Sequence, residues 1–211
     1  MRIVFAGGGA LGAAALEGLL ASGQEIAGVV IATQGQEDGL PERGKGLVKE
    51  ALAALAVRTE ALGLLPLARR HGLKTLRLHR LGTPQAQARL AALRADLLLV
   101  ASWGEILPES LLTRFPRGAW NVHPSLLPDD RGADPAASAL RRGARETGVT
   151  LHRMTMEIDR GDILWQRPLA IAPGETAEGL RGRLALLAKE GVTEAFRDPV
   201  AAIAGARPCP R

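Results

Sequence analysis

Asp96 and Ser102 bracket Leu-Leu-Leu-Val-Ala, a run of apolar residues of strand length with no polar residue between them. A strand with one wet face alternates apolar and polar side chains, whereas an unbroken apolar run is covered on both faces. Such a strand belongs in the middle of a parallel sheet flanked by helices. The rest of the chain supplies its neighbours. Arg2 to Ala6 and Glu25 to Ala32 read as two further buried strands, and Lys74 to Leu78 and Gly118 to Val122 as shorter ones. Helical spacing recurs between them: Ala10 to Leu20 carries Leu11, Ala15, Leu16 and Leu19 on one side, a second stretch ends with Leu65 to Gly72, and a third spans Pro84 to Leu93.

The rhythm then changes. Gly148 to Glu157 and Ile163 to Ala172 are strand-like runs joined by the turn-rich Ile158-Asp-Arg-Gly-Asp162, with no helix between them, and a final helix spans about Thr176 to Phe196. The pattern predicts an α/β, Rossmann-like fold: a mainly parallel twisted sheet with helices on both faces and an antiparallel strand pair near the C-terminal end. One domain over residues 1–200 and a frayed tail over 201–211 are expected. The polar loop Thr33 to Gly46 reads as mobile. No apolar run reaches the ~18 residues a membrane helix needs, so a soluble cytoplasmic protein with no membrane partner is expected.

The turn after the first strand, Gly7-Gly-Gly9-Ala-Leu-Gly12, fits the G-x-G-x-x-G dinucleotide fingerprint. That reading also requires an acid at the end of the second strand to hold the ribose hydroxyls. The second strand ends Ala32-Thr33-Gln34, and Glu37 and Asp38 lie in the loop beyond it. NAD is therefore disfavoured, and the glycines read as a turn that lets strand and helix approach closely.

The net charge of +5 raises the question of a nucleic-acid partner. Only Lys45, Lys49, Lys74 and Lys189 are lysines, and the arginines are spread along the chain with small clusters at Arg69-Arg70 and Arg141-Arg142-Arg145. This arginine bias reads as compositional drift as much as selection for charge. The single Cys209 forms no internal disulfide, and His71, His79, His123 and His152 lack the i, i+4 helical spacing of a zinc site, so no metal is expected.

Chemistry concentrates where strands end, at Ser102 to Pro108, Asn121 to Pro128 and Glu157 to Asp162. Asn121 and His123 alternate along a strand and so share a face. An amide beside an imidazole suits a carbonyl reaction: the amide holds a developing oxyanion and the imidazole moves a proton. Asp159 lies in a polar turn, and beside His123 its carboxylate would raise the imidazole pKa and favour the charged ring.

The stretch NVHPSLLPDDRGADP followed by GVTLHRMTMEIDRGDIL resembles the folate-dependent formyltransferase family, which includes methionyl-tRNA formyltransferase, phosphoribosylglycinamide formyltransferase and the sugar N-formyltransferases. The resemblance covers most of the chain and is densest from Asp96 to Ile171. It implies transfer of a formyl group from 10-formyltetrahydrofolate to a primary amine. It also implies Asn121 on the formyl oxygen, His123 as proton-transfer group, and Asp159 keeping His123 charged. Glu105, Ile106 and Leu107, Ser125, Leu126, Leu127 and Pro128, and Thr155, Met156, Glu157 and Ile158 would hold the folate. Gly8, Gly9, Arg43, Lys45 and Arg131 are candidate acceptor contacts. The opening strand–turn–helix would serve as scaffold on the acceptor side, without NAD.

Two features depart from the family pattern. The chain stops near the end of the catalytic domain, where the transfer-RNA enzymes continue. It also carries Asp129-Asp130 where relatives commonly place a basic residue and an aromatic; these carboxylates would repel phosphates unless Arg131 pairs with them. A small amine acceptor is thus favoured, with a methionyl-tRNA formyltransferase lacking its C-terminal RNA-binding domain as the alternative and a non-catalytic folate-binding or interaction protein as a further one.

Overall fold

The computed structural model describes residues 1–32 and 63–210. The expected 33–46 loop, with Arg43 and Lys45, lies outside the described residues. A seven-stranded sheet runs in the order β3-β2-β1-β4-β5-β6-β7. Its strands are β1 (Arg2–Gly7), β2 (Glu25–Ala32), β3 (Thr75–Leu78), β4 (Leu97–Ala101), β5 (Ala119–His123), β6 (Glu146–Arg153) and β7 (Ile163–Ala170). β1 to β5 are parallel, and β5–β6 and β6–β7 are antiparallel. The predicted α/β class, with an antiparallel pair near the C-terminal end, is the observed one.

The unbroken apolar runs have the expected cause. Alternate residues of each central strand feed opposite cores. Ile3, Phe5, Val29, Ile31, Leu97, Leu99, Trp120 and Val122 pack beneath α1 (Gly9–Ala21), the helical residues 63–70 (α2) and α6 (Ala177–Arg197). Val4, Ala6, Val30, Leu98, Val100 and Ala119 pack on the other face against α3 (Pro84–Ala91) and the short α4 (Glu109–Leu112). Burying one such Leu or Val is worth about 1.5–3 kcal/mol before conformational entropy is charged against it.

The opening glycines are explained by close approach. A Cβ at Gly7 would lie 2.6 Å from the Ala101 carbonyl oxygen, and one at Gly12 would press on Gly7 and the same carbonyl. The turn thereby brings β1, β4 and the start of α1 together, which leaves Gly8 and Gly9 free to border the space above.

Several elements depart from expectation. α4 and α5 (Pro135–Arg141) go beyond the pattern read from the sequence, although Asp134 caps α5 by accepting from the Ala137 N–H at 3.3 Å, with Pro135 in its first turn. β6 starts two residues before Gly148 and ends at Arg153 rather than Glu157. The expectation of a frayed tail is corrected. Residues Pro199–Ala204 form α7, capped by Asp198, and Arg207 bridges to Ile163 through both backbone bonds, at 2.8 and 3.0 Å. β7 would otherwise begin with an unpaired edge, and this bridge covers it.

α1 and α6 lie close enough that a Cβ at Gly18 would overlap the backbone carbonyl of Lys189. Gly18→Ala should therefore force the helices apart and cost about 1–3 kcal/mol. Urea denaturation checks this: the midpoint should fall with an unchanged slope, and an unchanged midpoint would show that the helices are not in such contact.

Candidate active site

In the sheet order, β1 and β4 are neighbours although their connections run to opposite sides. At such a switch point the loops diverge and leave a crevice above the carboxyl ends of the strands. A cavity of about 640 Å³ opens there, lined by Gly7 to Gly9, Val100, Ser102 to Leu107, Asn121 to Pro124, Gly132, Ala133, His152, Thr155 and Glu157 to Asp159, among others. This volume falls in the range of small-molecule sites, about 300–1,000 Å³.

β5 and β6 bring the polar groups together. Asn121 and His123 point to the same side of β5, and the antiparallel register sets Asn121 opposite His152 and His123 opposite Thr150. Asn121 Nδ2 lies 3.2 Å from His152 Nε2. The turn after β6 returns Asp159 over both rings: Oδ2 is 3.7 Å from His123 Nδ1, and Oδ1 is 3.5 Å from His152 Nε2. That turn closes tightly because residue 161 is glycine; a Cβ there would overlap the Arg153 carbonyl.

Three consecutive residues lock this group from the far side. The Asp130 carbonyl sits 3.0 Å from His123 Nε2, the Arg131 Nε–H donates to the Asp159 carbonyl at 3.3 Å, and the Gly132 N–H donates to Asp159 Oδ2 at 3.0 Å. Gly132 has φ +100°, a backbone conformation that favours glycine. Asp159 itself is left-handed at φ +52°, and such a residue persists only where its surroundings hold it.

Hydrogen bonding fixes the tautomers. A carbonyl oxygen only accepts, so His123 Nε2 carries a proton and Nδ1, facing Asp159, is the atom whose protonation changes. His152 Nδ1 donates to the Arg153 carbonyl at 2.8 Å. Its Nε2 lies between the Asn121 amide, 3.2 Å away, and Asp159 Oδ1, 3.5 Å away.

The expectation that Asp159 keeps His123 charged is corrected. His123 is 4% exposed, and its pKa is lowered: burial is the largest influence and outweighs the Asp159 carboxylate and the Asp130 carbonyl, which act upward. The resting ring is neutral near pH 7. Asp159 is held below the usual carboxylate range: burial pushes it up, but the His152 hydrogen bond, the His123 ring and the Gly132 N–H together prevail. Asp159 is thus an anion beside a neutral imidazole.

The remaining candidates separate into two groups. Gly8, Gly9, Glu105, Ile106, Leu107, Thr155, Glu157 and Ile158 border the cavity, with Ile106 and Ile158 exposed. The Glu105 carboxylate, however, accepts from the Leu81 and Gly82 N–H groups at 2.7 and 3.1 Å and from Trp103 Nε1 at 3.3 Å, so it ties loops together. Ser125, Leu126, Leu127, Pro128 and Met156 do not line the cavity. Ser125 and Leu127 are buried, and Thr150 and Gln166 pin their backbone: Thr150 Oγ1 donates to the Ser125 carbonyl at 2.7 Å, and Gln166 Nε2 donates to the Leu127 carbonyl at 2.9 Å. The Ser125 hydroxyl in turn donates to the Asp129 carbonyl at 2.7 Å, immediately before Asp130 to Gly132. Arg131 also stands outside the lining, and Asp129 and Asp130 pair with Arg142, not with Arg131. Sequence reasoning missed His152 and Gly132. The one signal for His152 was its cross-strand register, which no spacing within a single strand discloses.

Among the described residues, no group of three or more His, Cys, Asp or Glu side chains is arranged to hold a metal ion, and no helix is long and apolar enough to cross a membrane.

Comparison with known proteins places this site in a wider setting. The formyl transferase family matches residues 1–196. Methionyl-tRNA formyltransferases from Anaeromyxobacter dehalogenans (strain 2CP-C) and Thiobacillus denitrificans are 41% and 40% identical over 197 and 198 residues, in each case 93% of this chain. The chain spans 58% of the length of those relatives. Among solved structures, glycinamide ribonucleotide transformylase 1 from Symbiobacterium toebii matches with a TM-score of 0.73 at 24% identity, covering 100% of this chain and 94% of its own. Phosphoribosylglycinamide formyltransferase from Bacillus halodurans matches with a TM-score of 0.74 at 18% identity, covering 95% and 96%. At these identities the structures share the fold.

The depressed pKa of His123 has a thermodynamic consequence. The unfolded ring binds a proton near pH 6.5 and the folded ring only below that. Stability is therefore complete above pH 6.5 and declines as pH falls from there toward the folded value. Melting temperatures measured between pH 7 and pH 5 should fall more steeply for the wild type than for His123→Gln. Equal slopes would contradict a neutral, burial-dominated His123.

Proposed function

The chain belongs to the formyl transferase family, and from that premise we propose that it transfers a formyl group from 10-formyltetrahydrofolate to a primary amine. The observation that carries the reading is the convergence of Asn121, His123 and Asp159 on one cavity at the sheet's switch point. The cavity suits the donor: Val100, Ile106 and Leu107 offer apolar surface to a flat heteroaromatic, and Asn121, His123 and Asp159 offer polar groups. The donor supplies an activated formyl carbon and an amine leaving group.

The chain's residues do the rest. Asn121 directs an amide N–H at the formyl oxygen, where negative charge grows as the amine adds. His123, neutral at rest, takes the amine's proton at Nδ1 and later returns one to the departing nitrogen, so the net proton passes from acceptor to leaving group. The Asp159 carboxylate stabilises the ring while it is charged. His152 holds the Asn121 amide and faces Asp159 from the second side, and the 130–132 backbone keeps the pair in register. Burial that lowers the His123 pKa makes the ring available as a base near neutral pH.

For the acceptor, the two sequence relatives described above are enzymes named for methionyl-tRNA, and this favours an aminoacyl-RNA amine. A small amine is the other reading: among the described lining residues are Glu105, Glu157 and Asp159 and no Lys or Arg. The carboxylate argument against phosphates is weaker than the sequence suggests, because Arg142 pairs with both Asp129 and Asp130. Formyl incorporation assayed side by side with charged initiator transfer RNA and with small amines separates the two, and salt sensitivity marks the RNA case.

His123→Ala should reduce turnover by ~10²–10⁴-fold, and Asn121→Ala by ~10²–10³-fold, with the fold intact by circular dichroism. Near-normal turnover in His123→Ala would refute the assignment. The acid limb of kcat/KM should fall below pH ~6.5 and move lower still in Asp159→Asn, since the lost carboxylate no longer raises the His123 pKa. A limb that moves upward would mean that Asp159 does not act on His123.

A further inference from the structure

Arg131 stands behind the site, half-buried and outside the cavity lining. Its guanidinium faces two ways. Nε donates to the Asp159 carbonyl at 3.3 Å, and Nη2 donates to the Pro210 carbonyl at 2.9 Å. The Cys209 thiol donates to the same Asp159 carbonyl at 3.8 Å. The chain around these contacts is itself tied down: Arg207 exchanges two backbone bonds with Ile163, and its guanidinium reaches Gln166 Oε1 at 2.5 Å. Ile163 begins β7, immediately after the turn that carries Asp159.

We propose that Arg131 is a positioning residue for Asp159, and that residues 207–210 form a strap which, through Arg131 and the Ile163 bridge, holds the Asp159 turn against His123. The proposal rests on the function read above, and it assigns Arg131 a role other than contacting the acceptor. The physical need is plain. Asp159 has an unfavourable left-handed backbone, and most of its turn, from Thr155 to Ile158, is exposed. The Gly132 N–H fixes one carboxylate oxygen only. A fork of N–H groups that grips both the Asp159 carbonyl and the strap removes the remaining freedom of the turn. Lysine offers a single ammonium and lacks that planar fork.

The test uses Arg131→Ala, Arg131→Lys and Arg207→Pro in the full chain. Arg207→Pro removes the N–H that bonds to the Ile163 carbonyl, at an exposed residue outside the cavity lining. A displacement of about 1 Å at a catalytic group costs up to ~10²-fold in rate. Arg131→Ala and Arg207→Pro should each lower kcat at least tenfold while KM for donor and acceptor stays within about twofold, and Arg131→Lys should recover part of the loss. The double variant should be little worse than the worse single one, since both break the same link. A loss confined to acceptor KM, or fully multiplicative losses, would overturn the proposal.

A readout independent of turnover separates this proposal from the proposed function. The His123 ring, faced by Asp159, His152 and Asp130, can be titrated by imidazole NMR. Its midpoint should fall in Arg131→Ala and Arg207→Pro, in the direction of Asp159→Asn. An unchanged or raised midpoint would overturn the strap even in an active enzyme, and a fallen midpoint would sustain it even if no formyl transfer were found. Should Arg131→Ala fail to fold, Arg207→Pro and Arg131→Lys carry both readouts.

Discussion

Everything at the site depends on one short segment of the chain, residues 130–132. Asp130, Arg131 and Gly132 supply, in turn, the acceptor for His123 Nε2, the donor to the Asp159 carbonyl and the donor to its carboxylate. A buried imidazole loses solvation and resists charge; a buried carboxylate resists it too. The segment resolves the conflict by giving the carboxylate an N–H and the ring a carbonyl, which fixes the anion on Asp159 and leaves Nδ1 of His123 to exchange a proton. The backbone angles of residues 130–132 make this possible, with Asp130 left-handed at φ +50° and Gly132 at φ +100°. Left-handed non-glycine residues cost about 1–3 kcal/mol each, and Arg142 anchors the Asp130 carboxylate at 2.8 Å against that cost.

The sheet explains why this segment lies where it does. Parallel strands covered on both faces direct their carboxyl ends to one edge, and the reversal of strand order at β1 and β4 opens the crevice there. The switch to antiparallel pairing after β5 adds what a wholly parallel sheet would lack. It sets a second strand with opposite direction beside Asn121 and His123, so His152 faces them directly and the turn after β6 falls back over the cavity. The antiparallel pair thus serves the chemistry as well as the fold.

Much of this was legible in the sequence, and the limits have physical reasons. Unbroken apolar runs disclosed the buried parallel strands, because burial on both faces leaves no alternation. Asn121 and His123 could be paired from a period of two. Asp159 could be joined to them only through family resemblance, since their proximity depends on cross-strand register and on a turn 36 residues downstream of His123 in the chain. His152 was invisible for the same reason. The charge state of His123 was misjudged because a partner can be guessed from sequence while depth of burial cannot. Ser125 to Pro128 read as a ligand surface, yet Thr150 and Gln166 hold their backbone from neighbouring strands. The prolines and small residues of the tail suggested fraying, but an unpaired β7 edge offered it a partner at Ile163.

The central claim is that the cavity at the switch point is a formyl-donor site. Calorimetric titration with a stable 10-formyltetrahydrofolate analogue tests it most directly, with NADH titrated in parallel. One site of micromolar affinity for the folate and no heat with NADH are predicted, with folate binding preserved in His123→Ala because the ring acts on the proton rather than on the ligand's bulk. Absence of folate binding, or binding of NADH in its place, would contradict it.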